Sequence, residues 1–122
     1  MNQASAVRPR YSSVELVQWA KHLLVAAGLD PQMSLVVAQT LVEGDLLGHD
    51  THGLALLPGY LKDVEAGGMT REGDYRVVSA KPAAQLWDGM RLPGPWLIER
   101  GLDVLIPAAR EMGVASLAIK RS

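Results

Sequence analysis

The chain has 122 residues, 48% of them hydrophobic and 20% charged, a formal net charge of -1 and no cysteine. That length supplies one ordinary globular core, the near-balance of charge leaves no surplus to grip a phosphate backbone, and the lack of cysteine excludes disulfides and thiolate metal sites. Nucleic acid and membrane are therefore not expected partners: no segment stays apolar long enough to span a bilayer, Met1–Arg10 has no apolar stretch of the secretory kind, and a reducing compartment, the cytoplasm, is the expected location. Phe is absent, so the core is expected from Leu, Val, Ala and Ile, with Trp19, Trp87 and Trp96 as its large fillers.

Ser12-Ser13-Val14-Glu15 has the form of a capping box, and Val14, Val17, Ala20, Leu24 and Ala27 recur at helical spacing before Gly28, which predicts a helix over Ser13–Ala27. Asp30-Pro31 supplies an N-cap and a proline at the first helical position, and Met33, Val36, Val37 and Leu41 carry a second helix to about Leu46. After the interruption Gly48–Gly53, Leu54 to Ala66 is helical again until Gly67-Gly68. Tyr75–Ser79 and Ala83–Trp87 are β-prone runs joined through Lys81-Pro82, a hairpin closed by the turn chemistry of Asp88-Gly89. Pro95 opens a fourth helix whose Leu97, Gly101, Leu102, Leu105 and Ala109 share a face, with a kink expected at Pro107 and a stop at Gly113. Val114–Ile119 then reads as a buried strand. The expected organisation is α+β: a three-helix N-terminal domain over 1–72, then a unit over 73–122 made of hairpin, helix and strand. A β-α-β layout normally carries on into further strands, so the sequence reads as truncated at Ser122, and its small sheet is expected to leave edges or apolar surface for a partner.

Two of the three histidines lie in Gly48-His49-Asp50-Thr51-His52-Gly53, the one concentrated polar cluster of the chain. An imidazole beside a carboxylate and a hydroxyl is what moving a proton on and off a substrate alcohol requires. The competing assignment makes Asp50 and Thr51 helix caps, the glycines turn residues and the imidazoles solvated. A metal site is not expected, since ligands from one short stretch do not converge without a distant partner. His22, on the first helix, reads as structural. Neither Gly67-Gly68 nor Gly89–Gly94 has the G-x-G-x-x-G spacing of a dinucleotide fingerprint, and no P-loop is present.

The string from Glu43 to Tyr60, with Gly-His-Asp-Thr-His-Gly at its centre, resembles the malate/L-lactate dehydrogenase family of NAD(P)-dependent 2-hydroxyacid oxidoreductases, a group unrelated to the Rossmann-type enzymes. The order of the later features is also similar: Gly67-Gly68, Trp87-Asp88-Gly89, a helix to Met112-Gly113, then Val114 to Ser122. The resemblance implies a helical domain followed by the beginning of a non-Rossmann mixed α/β nicotinamide-binding domain, NAD or NADP as cofactor, a small 2-oxo or 2-hydroxy acid as substrate, and a homodimer. It implies a catalytic set of His52, Thr51 and His49, with proton handling at His52 aided by Thr51 and loop support from His49 and Asp50, and cofactor binding at Ser122, which falls on the serine of a Ser-x-His-x-Gly loop. Two departures accompany it. Leu56 stands where the family's Arg-Leu-Pro-x-Tyr stretch has an arginine suited to clamping a carboxylate, and the remainder of the nicotinamide-binding residues would lie beyond Ser122. The 122 residues alone are therefore expected to be inactive, and the alternative function is a non-catalytic helical module for dimerisation or protein interaction.

Overall fold

The computed structural model describes residues 8–122. The expectation of no secretory segment in Met1–Arg10 therefore falls mostly outside the described residues. Helix α1 spans Ser13–Ala27 and α2 spans Pro31–Leu46. Both have the predicted limits, because their ends are set locally. Ser12 Oγ accepts from the Glu15 amide, Gly28 adopts a left-handed φ of 113° that closes α1, and Asp30 caps α2 by accepting from the amides of Gln32 and Met33. Two short 3-10 turns, Asp50–His52 and Leu54–Leu56, precede α3, Leu57–Ala66. Strands β1 (Arg76–Lys81) and β2 (Ala84–Asp88) form the hairpin, α4 runs from Gly94 to Met112 without interruption at Pro107, and β3 covers Ser116–Lys120. The architecture is α+β, with four helices and one three-stranded sheet among the described residues.

The sheet order is β1-β2-β3, with β1 antiparallel and β3 parallel to β2. α4 thus makes the crossover between two neighbouring parallel strands. It packs closely on the sheet: a Cβ on Gly101 would lie 2.7 Å from Leu117 Cδ2 of β3, and one on Gly89, just after β2, would lie 2.6 Å from Leu97 Cδ1. Ala20 and Leu24 of α1, Met33, Val37 and Leu41 of α2, Leu57 and Val64 of α3, Leu92 just before α4 and Leu97 in its first turn form one buried cluster. Ile119 of β3 packs against it, so the helices and the sheet share apolar contact across the 72/73 division.

Three expectations fail. Trp19 is 53% exposed, because the inward face of α1 is taken by Ala20 and Leu24. Leu102 is also exposed, since Leu97 and Gly101 alone form the buried face of α4. β3 alternates exposed and half-buried residues instead of being buried, because Leu117 faces α4 while Ser116, Ala118 and Lys120 are exposed among the described residues. Trp87, in contrast, is fully buried and stacked on Tyr75 at 3.8 Å between ring centroids. The expected exposed apolar surface is present: Ile98, Leu102 and Ile106 form a stripe along α4, and every residue of β1 is exposed. None of the described helices is long and apolar enough to cross a membrane.

Candidate functional site

The segment Gly48–Gly53 is folded back on the end of α2 by backbone bonds, from His49 N–H to Gly44 O (2.9 Å) and from His52 N–H to His49 O (2.8 Å). Asp45 secures its far side, where one carboxylate oxygen accepts from the Leu54 amide at 2.9 Å. Two glycines make this approach possible. A Cβ on Gly44 would stand 2.6 Å from the His52 carbonyl oxygen, and one on Gly53 would collide with the Asp45 carboxylate. The backbone is fixed while the side chains of His49, Asp50, Thr51 and His52 are exposed.

Within this loop Thr51 Oγ1 and His52 Nδ1 share a hydrogen bond of 2.9 Å. No side-chain cap bond closes the Asp50–His52 turn, so the hydroxyl orients an imidazole instead of capping a helix. A hydroxyl donates or accepts, so it supports either imidazole tautomer and leaves Nε2 free to give or take a proton. His49 contributes its backbone to the turn, and Asp50 meets Arg8 only at 3.8 Å between exposed groups. His22 is exposed on α1. No group of three or more His, Cys, Asp or Glu suited to a metal ion occurs among the described residues.

A short distance along the chain, Leu56, Gly59, Tyr60, Asp63, Met69, Gly94 and Ser122 line an open cleft of about 370 Å³. Ser122 and Leu56, the position of the expected arginine, therefore meet in one place although 66 positions separate them. His49, Thr51 and His52 are not among the lining residues. Tyr60 is a component that the sequence reading did not single out, although it ends the Leu-Pro-x-Tyr stretch. Burial pushes its phenol above the ordinary value of 10.0, so it is a neutral hydroxyl at any physiological pH. Gly94 leaves the wall of the cleft bare, and a Cβ there would meet nothing within 4 Å.

Ser122 is placed by the junction before it. Asp88, 1% exposed at the end of β2, takes a bidentate grip from Arg121, with Nε to Oδ1 at 2.9 Å and Nη2 to Oδ2 at 2.7 Å. Asp88 Oδ1 also accepts from the Met90 amide at 3.0 Å. These bonds, first that from Arg121 and then that from Met90, hold the carboxyl down at about 2. The backbone closes the same knot: Gly89 N–H donates to Lys120 O and Arg91 N–H to Arg121 O, each at 2.7 Å. Met90, Arg91 and Arg121 all have left-handed φ, at 54°, 60° and 56°, an unfavourable conformation for residues with side chains that the knot maintains.

Comparison with known proteins matches residues 11–122 to the malate/L-lactate dehydrogenase family. The Δ1-pyrroline-2-carboxylate reductase of Ancylobacter novellus is 33% identical over 110 residues, covering 90% of this chain and 32% of that protein. Hydroxycarboxylate dehydrogenase B of Escherichia coli K12 is 26% identical over 113 residues, or 93% of this chain and 31% of the relative. Among solved structures, malate dehydrogenase from Pyrococcus horikoshii OT3 superposes with a TM-score of 0.88 at 25% identity, covering 93% of this chain and 33% of that one. The chain thus spans about a third of the length of the relatives it matches.

Proposed function

The chain belongs to the malate/L-lactate dehydrogenase family, and from that premise we propose that it is the N-terminal portion of an NAD(P)-dependent oxidoreductase that interconverts a 2-oxo acid and a 2-hydroxy acid. The observation that carries this reading is the Thr51–His52 hydrogen bond on a loop whose backbone is pinned to α2. His52 Nε2 delivers a proton to the substrate oxygen in one direction and removes it in the other, and Thr51 keeps the ring in one orientation for both. His49 supports the loop. Ser122 and the bare wall at Gly94 suit the flat amide-bearing ring of a nicotinamide, with a hydroxyl to bond it and no side chain in its way. When bound, NAD or NADP supplies the hydride acceptor or donor.

The division into a helical domain over 1–72 and the start of a non-Rossmann nicotinamide-binding domain over 73–122 belongs to this proposal, as do a cytoplasmic location and a homodimer. With the cleft open and the chain spanning about a third of its relatives' length, the 122 residues alone are expected to bind NADH or NADPH weakly and to turn over no 2-oxo acid, as followed by absorbance of the reduced nicotinamide. In a full-length family protein carrying this segment, His52→Ala should lower kcat by roughly a hundredfold or more, the ordinary contribution of a positioned acid or base, with the melting temperature unchanged. Unchanged turnover would overturn the assignment.

A second reading, a non-catalytic helical module that dimerises or binds another protein, is favoured by the apolar stripe Ile98, Leu102 and Ile106 and by exposed Tyr11, Val14 and Trp19 on and beside α1. Light scattering decides it: a monomer up to high concentration removes this reading.

A further inference from the structure

The cleft that holds Leu56 and Tyr60 meets a second one, lined by Asp63, Gly68, Met69, Arg91, Leu92, Arg121 and Ser122, and the two share Asp63, Met69 and Ser122. Together they form a groove with an apolar end at Leu56 and Tyr60 and a basic end at Arg91 and Arg121. The two guanidinium groups are not equivalent. The Nε and Nη2 groups of Arg121 are committed to Asp88, whereas Arg91 enters no ion pair among the described residues. The Arg91 backbone is nonetheless fixed on both sides, its N–H donating to Arg121 O and its carbonyl accepting from Thr70 N–H at 2.8 Å. A free, permanently charged fork on a rigid base is the group suited to a planar carboxylate.

We propose that Arg91 is the carboxylate-binding and specificity-determining residue of this groove, and that the ligand is a 2-oxo or 2-hydroxy monocarboxylic acid with an apolar substituent. This rests on the 2-hydroxyacid reading above and goes beyond it in naming the anchor and the class of acid. Leu56 offers the substituent an apolar wall and no cation. Asp63, common to both ends, repels a second carboxylate. One carboxylate is therefore accepted at Arg91, and dicarboxylic acids are discriminated against by charge at the centre of the groove.

Calorimetric titration of a full-length family protein carrying this segment with 4-methyl-2-oxopentanoate, its amide, oxaloacetate and ADP tests this. The expected pattern is binding of the monocarboxylate, weaker binding of oxaloacetate and none of the amide. Arg91→Gln should weaken the monocarboxylate by about tenfold or more, the loss of a charge-assisted pair. Arg91→Lys should restore part of that loss, and Arg110→Gln, which removes an equal charge on α4 away from the groove, should change nothing. Melting curves check that each variant folds, and Arg91→Lys carries the test should Arg91→Gln unfold. Equal binding by wild type and Arg91→Gln overturns the proposal, as does absence of binding by the wild type or a loss confined to ADP, which would make Arg91 a phosphate ligand. The outcome is separable from that of the reading on which it rests: an inert His52→Ala change removes the proton-handling role but leaves an Arg91-dependent carboxylate site standing, whereas Arg91-independent binding with a disabled His52→Ala enzyme removes only this proposal.

Discussion

The His49–His52 loop and the Asp88–Arg121 junction are both polar and both sit at the ends of regular elements, yet they are held in opposite ways. In the loop, backbone bonds and two glycines fix the main chain and leave the side chains in solvent, with a single Thr51–His52 bond between them. At the junction the side chains themselves are the fastening: a buried carboxylate receives two bonds from a guanidinium and one from an amide, and left-handed residues are locked around it. A group that must exchange protons has to remain accessible and uncommitted. A group that must set the position of a neighbour has to be spent on fixed partners. The contrast fits the proton-handling role proposed for the loop and leaves the placement of Ser122 to the junction.

Substitutions should separate the two. The largest effect expected is the loss of turnover in His52→Ala with stability intact. Thr51→Ala should lower turnover less, by about tenfold, because the imidazole remains but loses its orienting partner. At the junction the order reverses. Asp88→Asn leaves Arg121 facing a neutral amide and should lower the melting temperature while the Thr51–His52 pair is untouched, which the ring signals of His52 in an NMR spectrum would report. Leu97→Ala, which empties a fully buried position against Gly89, should cost about 3 kcal/mol in chemical denaturation and serves as the scale for a purely apolar defect. If Asp88→Asn left the melting temperature unchanged, the junction would not be the fastening described.

The reach of the sequence follows the range of the forces involved. Both ends of α1 and the start of α2 were legible because a serine, an aspartate, a proline and a glycine set them within four residues. The pairing of Thr51 with His52 was legible because the two residues are adjacent. Asp88-Gly89 was readable as a turn, but its pairing with Arg121 spans 33 positions and depends on β2 and β3 lying parallel. Left-handed Met90 and Arg91 have no composition signal, since ordinary side chains adopt that conformation only under tertiary restraint. Trp19, Leu102 and β3 were misjudged for a related reason: periodicity says which residues share a face and says nothing of whether another element covers it. Tyr60 lay within reach of the motif and was passed over in favour of the histidines, although it lines the cleft with Leu56 and Ser122.

Acid distinguishes the two regions in a graded way. The Asp88 carboxyl is held at about 2, below its ordinary 3.8, so folding favours its ionised form. That contribution is complete above pH 4 and is lost as pH falls from about 4 towards 2, where the unfolded chain takes up the proton before the folded chain does. Wild type should therefore lose more stability across that interval than Asp88→Asn, which has no carboxyl to titrate at this position. The smallest effect belongs to the one ion pair of the loop among the described residues. Arg8 and Asp50 stand 3.8 Å apart with 91% and 76% of their side chains exposed, so water and salt screen the pair almost completely. Arg8→Ala should leave the melting temperature unchanged at physiological salt. A measurable fall would mean that the loop is fastened by its side chains after all, and the contrast with the junction would lose its basis.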